Sequence, residues 1–275
     1  YLAVKSHTQL TYLQAPGVEY RWHTRLRKRW LDWYSSSAVT SLDASAAQDV
    51  EVFWPESCPP MKHLLALNWE FGGGLSSMLR QHTQLTQLYV RNSPEPLTAL
   101  QGLRQLTQLD LYDPVPAEFF QFCWSDLAKL QITINGDALV PAFSAFLDHH
   151  PSLTNMELTL ALKSKPSYVA FWNRLVKCPQ LVRLRVRDNT KLTATPFHLR
   201  LEIDSGSTLR RLTRYCNDPI CTLYLSDSHP LEVFSSDTAR VVKFKNNIRK
   251  HQTLVELLGV GWGFEYVQKW RPQLF

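Results

Sequence analysis

The sequence predicts an α/β solenoid, a stack of short repeats with parallel strands along a concave face and helices along a convex one. Three observations carry this. The phrase His82-Thr-Gln-Leu-Thr-Gln-Leu88 nearly copies His7-Thr-Gln-Leu-Thr-Tyr-Leu13, and Arg104-Gln-Leu-Thr-Gln-Leu109 repeats its core. Within each copy the apolar residues are spaced as in a half-buried strand. Between copies lie segments whose apolar residues fall at helical spacing.

The repeats follow one rule. Leu85-x-x-Leu88-x-Val90 returns 21 residues later as Leu106-x-x-Leu109-x-Leu111, and 21 after that as Leu127-x-x-Leu130-x-Ile132. Leu153-x-x-Met156-x-Leu158 and Leu181-x-x-Leu184-x-Val186 follow at intervals of 26 and 28. Less regular copies start at Leu10, Val39 and Leu64, and again at Ile220 and Leu254, with a worn one through Leu199, Leu201 and Ile203. Alternation sends both residues of the L-x-L part to one face of a strand. The first leucine turns into the same core as the chain approaches that strand. One unit cannot bury its apolar face alone, so stacking is required.

The connections read as helices. Pro141 to His150 carries Phe143, Phe146 and Leu147, and Tyr168 to Lys177 carries Phe171, Trp172, Leu175 and Val176. Each meets a proline, Pro151 or Pro179, before the next strand. Proline stops a helix and biases its predecessor towards extended geometry.

The best copy runs from Cys178 through Leu181, Leu184 and Val186 to Asn189 and Leu192. It resembles the leucine-rich repeat family, in its ribonuclease-inhibitor-like and F-box-associated branch, over roughly residues 60 to 270. The resemblance implies a leucine-rich-repeat solenoid. It also implies that Asn189, and likewise Asn135, sits at a ninth position where the side chain bonds backbone groups in the turn after the strand. A substrate-receptor role in ubiquitin ligation is one function the resemblance implies.

Residues 1–59 read as irregular repeats interrupted by a basic, tryptophan-rich helix, residues 60–258 as the solenoid, and residues 259–275 as a cap. In the first part Trp22, Leu26, Trp30 and Trp33 share a helical face among five basic residues between Arg21 and Arg29. In the last, Trp262, Phe264 and Trp270 suit the covering of an open core.

Charge is unevenly placed. Residues 30–162 hold five basic side chains against fourteen acidic, whereas residues 163–275 hold nineteen basic against nine acidic. Such polarity favours an acidic partner, or RNA, at the C-terminal half. The five cysteines are scattered and odd in number, which points to a reducing, intracellular compartment. No run approaches the roughly 18 to 20 apolar residues of a membrane span.

Tests for chemistry point away from catalysis. Gly72-Gly-Gly74 is not followed by Gly-Lys-Ser/Thr and reads as a strand-to-helix turn. Cys216, Cys221 and His229 match no common zinc spacing. His149-His150 reads as a basic helix end, favoured by the dipole. The expectation is therefore no enzyme activity, cofactor, metal or small-molecule substrate. What remains is the strand surface. Between the leucines, Tyr89, Arg91, Asp110 and Tyr112 should point outward on the earlier strands, and Gln131 and Glu157 on the middle ones. Arg183, Arg185 and Arg187 should form a basic row on a later strand, solvated or paired with Glu157 and Glu202. Tyr and Arg are enriched among binding hot spots. The expectation is a protein-binding scaffold or adaptor. The alternative is a structural subunit of a ribonucleoprotein such as an organellar ribosome.

Overall fold

A computed structural model describes residues 12–14, 38–43, 63–70, 74–92, 97–190, 198–203, 206–216, 220–225, 230–236 and 256–259. The basic tryptophan-rich segment, the residues after Gly259, and Gly72, Gly73, Leu192 and His229 lie outside these. The chain divides into two compact units, Tyr1–Asp113 with Gln121–Leu127, and Pro114–Phe120 with Ala128–Phe275.

In the first unit β1 (Tyr12–Gln14), β2 (Ser41–Asp43), β3 (Ala66–Glu70), β4 (Gln87–Arg91) and β5 (Gln108–Pro114) pair in order, each parallel to the next. Helix α1 (Leu75–Gln81) joins β3 to β4, and a 3-10 turn, Leu97–Gly102, joins β4 to β5. The predicted repeat spacing becomes strand register without slippage. Leu42, Leu67, Leu88 and Leu109 stand in one row, and Trp69, Val90 and Leu111 in the next, all buried. Gly74, in a left-handed conformation (φ 89°), turns the chain into α1. A side chain there would be strained.

In the second unit β6 (Lys129–Asn135), β7 (Asn155–Ala161) and β8 (Arg183–Asp188) pair in sequence and in parallel. Helices α2 (Leu139–Asp148) and α3 (Lys165–Val176) connect them, at the predicted positions. Ser164 caps α3 by accepting from the Ser167 N–H at 3.3 Å, with Pro166 in the first turn. Phe143 of α2 and Phe171 of α3 stack at 5.2 Å between centroids, and Phe119 stacks on Phe146 at 5.8 Å. Aromatic packing of this kind closes the helical side of the core.

Beyond β8 the order changes. β10 (Arg211–Cys216) pairs with β8, β12 (Val233–Ser236) with β10, and β13 (Glu256–Gly259) with β12. β9 (His198–Ile203) and β11 (Ile220–Leu225) pair with each other in a separate sheet. The worn repeat at Leu199 and the copy at Ile220 are therefore strands, as the repeat reading expected, but they do not join the main sheet. The main-sheet repeat is Leu209-x-x-Leu212-x-Arg214, whose last apolar slot holds an arginine.

The recurring phrase has a hydrogen-bond logic. At the starts of β4, β5 and β7 two consecutive N–H groups donate to one carbonyl of the preceding repeat: Thr86 and Gln87 to Leu65, Thr107 and Gln108 to Thr86, and Thr154 and Asn155 to Ala128. The threonine hydroxyl adds a third donor to the same carbonyl, from Thr86 at 3.1 Å and Thr107 at 3.0 Å. Three residues before the first leucine, His82 and His150 are fully buried. Their Nδ1 atoms lie 2.7 Å from the carbonyls of Met78 and Phe146, one turn back in the helix. An imidazole there adds a bond to a carbonyl of the last helical turn; the Phe146 carbonyl also accepts from the His149 N–H at 3.1 Å. Burial lowers both histidine pKa values, so His150 is a neutral cap rather than the cationic helix end expected from sequence.

The ninth-position asparagines depart from the family pattern. Asn135 and Asn189 are exposed. β6 remains in the ladder through Asn135, which pairs with Ala161, and the Asn189 N–H still bonds the Leu160 carbonyl at 2.7 Å. Alternation therefore continues past the sixth position, placing the eighth residue inward (Ile134, Leu160, Asp188) and the ninth outward. Other groups make the turn bonds. Asp137 Oδ1 accepts from the N–H groups of Lys163 and Ser164, and Thr190 Oγ1 accepts from the Leu162 N–H at 3.1 Å.

Candidate functional site

In the first unit, β4 and β5 bring two tyrosines and an arginine together. Tyr89 and Tyr112 lie 4.9 Å apart between ring centroids at 45°, and the Arg91 guanidinium carbon is 5.8 Å from the Tyr112 ring. Tyr112 is 40 % exposed, a large amphipathic ring on the outward face. Asp110 does not join that surface. It is 6 % exposed and accepts from Gln108 Nε2 at 2.9 Å. In register with Tyr89 and two residues before Tyr112, its short side chain cannot reach past its larger neighbours.

In the second unit the outward residues form three rows across β6, β7, β8 and β10. Lys129, Asn155, Arg183 and Arg211 make the first; Gln131, Glu157, Arg185 and Thr213 the second; Thr133, Thr159, Arg187 and Tyr215 the third. Gln131 and Glu157 are half-buried, whereas Arg183, Arg185 and Arg187 are exposed, as the alternation predicts. Arg185 lies 3.6 Å from Glu157 Oε2. On its other side it stands 5.2 Å from the Tyr215 ring and makes a long hydrogen bond to the Tyr215 hydroxyl. Glu202, the other expected partner, belongs to β9 in the separate sheet.

Arg211 and Tyr215 were not among the residues predicted for this face. The signal was present as Leu209-x-x-Leu212, but the arginine in its third slot concealed it. Arg214 replaces the apolar residue of the row Ile132, Leu158, Val186 and is fully buried. Its Nη2 is 3.2 Å from Asp188 Oδ2 and donates to the Tyr168 hydroxyl at 2.8 Å, with its guanidinium 5.6 Å from the Trp172 ring. Tyr168 donates to Asp188, whose other oxygen accepts from the Thr190 N–H at 3.1 Å. Burial pushes the Tyr168 phenol far up, so it remains a protonated donor.

Of the groups with shifted acidity, Tyr168, Cys178, His82 and His150 are buried, whereas Asp137 is half-buried and Arg185 exposed. Burial raises the Cys178 pKa and disfavours the reactive thiolate. Among the described residues no group of three potential ligands is placed to hold a metal, and no helix is long and apolar enough to cross a membrane. The side chains of Cys216 and Cys221 lie outside the description.

No family model matches the chain, and no curated protein matches it. Among solved structures, the crystal structure of a plant ice-binding protein is similar over 86 % of this chain and 71 % of its own, at 14 % identity and a TM-score of 0.35. A likeness at that level carries no argument about function.

Proposed function

We propose that this chain is a non-enzymatic protein-binding scaffold or adaptor, a repeat solenoid of leucine-rich-repeat type that recognises a protein partner on its outward strand face. The observation that carries this is the Tyr89, Tyr112 and Arg91 cluster. Tyr and Arg supply large contact area and directed polar groups, and they dominate binding energy where interfaces have been scanned. The burial of Tyr168, Cys178, His82 and His150 supports a binding role over a chemical one for these groups. The test is capture of partners from native lysate with the wild-type chain and with Tyr112→Ala, each repeated with nuclease and raised salt. A protein partner that survives both treatments and is lost with Tyr112→Ala supports the reading. A partner retained by the variant, or none surviving, overturns it.

The exposed row of Arg183, Arg185 and Arg187 favours one second reading, a structural subunit of a large ribonucleoprotein. RNA binding should weaken steeply with salt, in proportion to the phosphates neutralised.

A further inference from the structure

We propose that the outward face of β8 and β10 docks an extended acidic segment of a partner protein with carboxylates at alternate positions, a proposal that rests on the binding reading above. Arg183, Arg185 and Arg187 occupy successive outward positions of one strand, all exposed. Their spacing is about 6.6–6.8 Å, two residues of strand rise. Arg211, also exposed, stands in register with Arg183 one strand away, about 4.8 Å across the ladder.

Among the described residues, Glu157 is the one carboxylate ion-paired with any of these four, and it pairs with Arg185. The face thus presents a concentrated positive charge awaiting acidic groups. An extended peptide places alternate side chains on one side at the same spacing as the arginines. Each guanidinium fork matches a carboxylate in two-point geometry, so the row reads out position as well as charge. Tyr215 at the end of the third row offers an aromatic contact to the same segment.

A nucleic acid fits less well. Proteins that hold single strands combine a basic groove with successive aromatic platforms for the bases. Here Tyr215 is the one aromatic in these rows, and Arg185 already stands against its ring. Glu157, in the middle row, would repel a phosphate backbone.

The experiment is fluorescence anisotropy on the full chain at low salt with three labelled probes: a peptide alternating Asp with Ser, the same composition with the aspartates in one block, and oligouridine. The alternating peptide should bind more tightly than the block. Its affinity should fall about tenfold in Arg183→Gln/Arg187→Gln, the loss of two surface pairs, and further in Arg183→Glu/Arg187→Glu. Equal binding of both peptides, or indifference to these substitutions, overturns the proposal, as does preferential binding of oligouridine. The captured partner separates the two readings. One lost with Tyr112→Ala but held by the Arg183→Gln/Arg187→Gln chain leaves the scaffold standing and removes this proposal.

Discussion

Replacing Asp188 by Ala should destabilise the protein by about 3–5 kcal/mol, the cost of leaving a buried charge without its partner. Both Asp188 and Arg214 have wholly buried side chains. Without the carboxylate Arg214 retains the Tyr168 hydroxyl and the Trp172 face, and neither carries a countercharge. Guanidinium cannot shed its proton to escape the penalty. Against a total stability of roughly 5–15 kcal/mol, the loss is large enough to leave some molecules unfolded at room temperature. The double change Asp188→Ala/Arg214→Leu places a leucine in the row Ile132, Leu158, Val186 and should recover part of it, because the unpaired charge is gone while the buried Tyr168 hydroxyl and Thr190 N–H still lose their partners. Urea unfolding followed by circular dichroism gives each free energy and their coupling. A cost below about 1 kcal/mol for Asp188→Ala would mean that the arginine reaches water, and the dry ion pair described above would be wrong.

Three further outcomes are expected. His82 and His150 have lowered pKa values, so the unfolded chain binds more protons than the folded one below the ordinary histidine value. Their contribution is complete above about pH 6.5 and declines as pH falls towards the folded values, by at most about 1.4 kcal/mol per pH unit for each histidine. Urea midpoints between neutral and mildly acid pH should show that slope, and His150→Gln should flatten it; an unchanged slope contradicts the neutral-cap assignment. Leu158→Ala, at the centre of β7 and fully buried, should cost about 2–5 kcal/mol by the same unfolding assay, whereas Thr159→Ala beside it should change stability little. Tyr112→Ala should leave the unfolding midpoint nearly unchanged while weakening the partner by about 2 kcal/mol, roughly thirtyfold, in titration calorimetry; a loss of stability with no change in affinity would assign Tyr112 to the fold.

The regular half of the architecture was legible because it is written locally. Leu85, Leu106, Leu127, Leu153 and Leu181 each announce a strand, and Pro151 and Pro179 announce the end of the helices before Leu153 and Leu181. Period-two alternation then placed Tyr112, Arg183, Arg185 and Arg187 on the outward face, and the structure agrees. The same rule failed for Asp110, since alternation tells which way a side chain points and not whether its neighbours overtop it. At Asn135 and Asn189 alternation holds, and what fails is the turn role implied by the resemblance, because the strand continues one pair further than that pattern implies.

By itself, then, the sequence determined the repeat, the register that follows from it, the helices α2 and α3, and the polarity of charge along the chain. All of these depend on residues close in sequence and on periods set by backbone geometry. Only the tertiary structure decided which strand follows β8. Leu199-x-Leu201-x-Ile203 looks more like a repeat strand than Leu212-x-Arg214 does, yet β10 takes the place. Arg214 in an apolar slot is a liability until Asp188, Tyr168 and Trp172 surround it, and those partners come from a neighbouring strand and a helix as many as 46 residues away. A buried charge is tolerated only where a countercharge meets it, and that meeting is a fact of three dimensions.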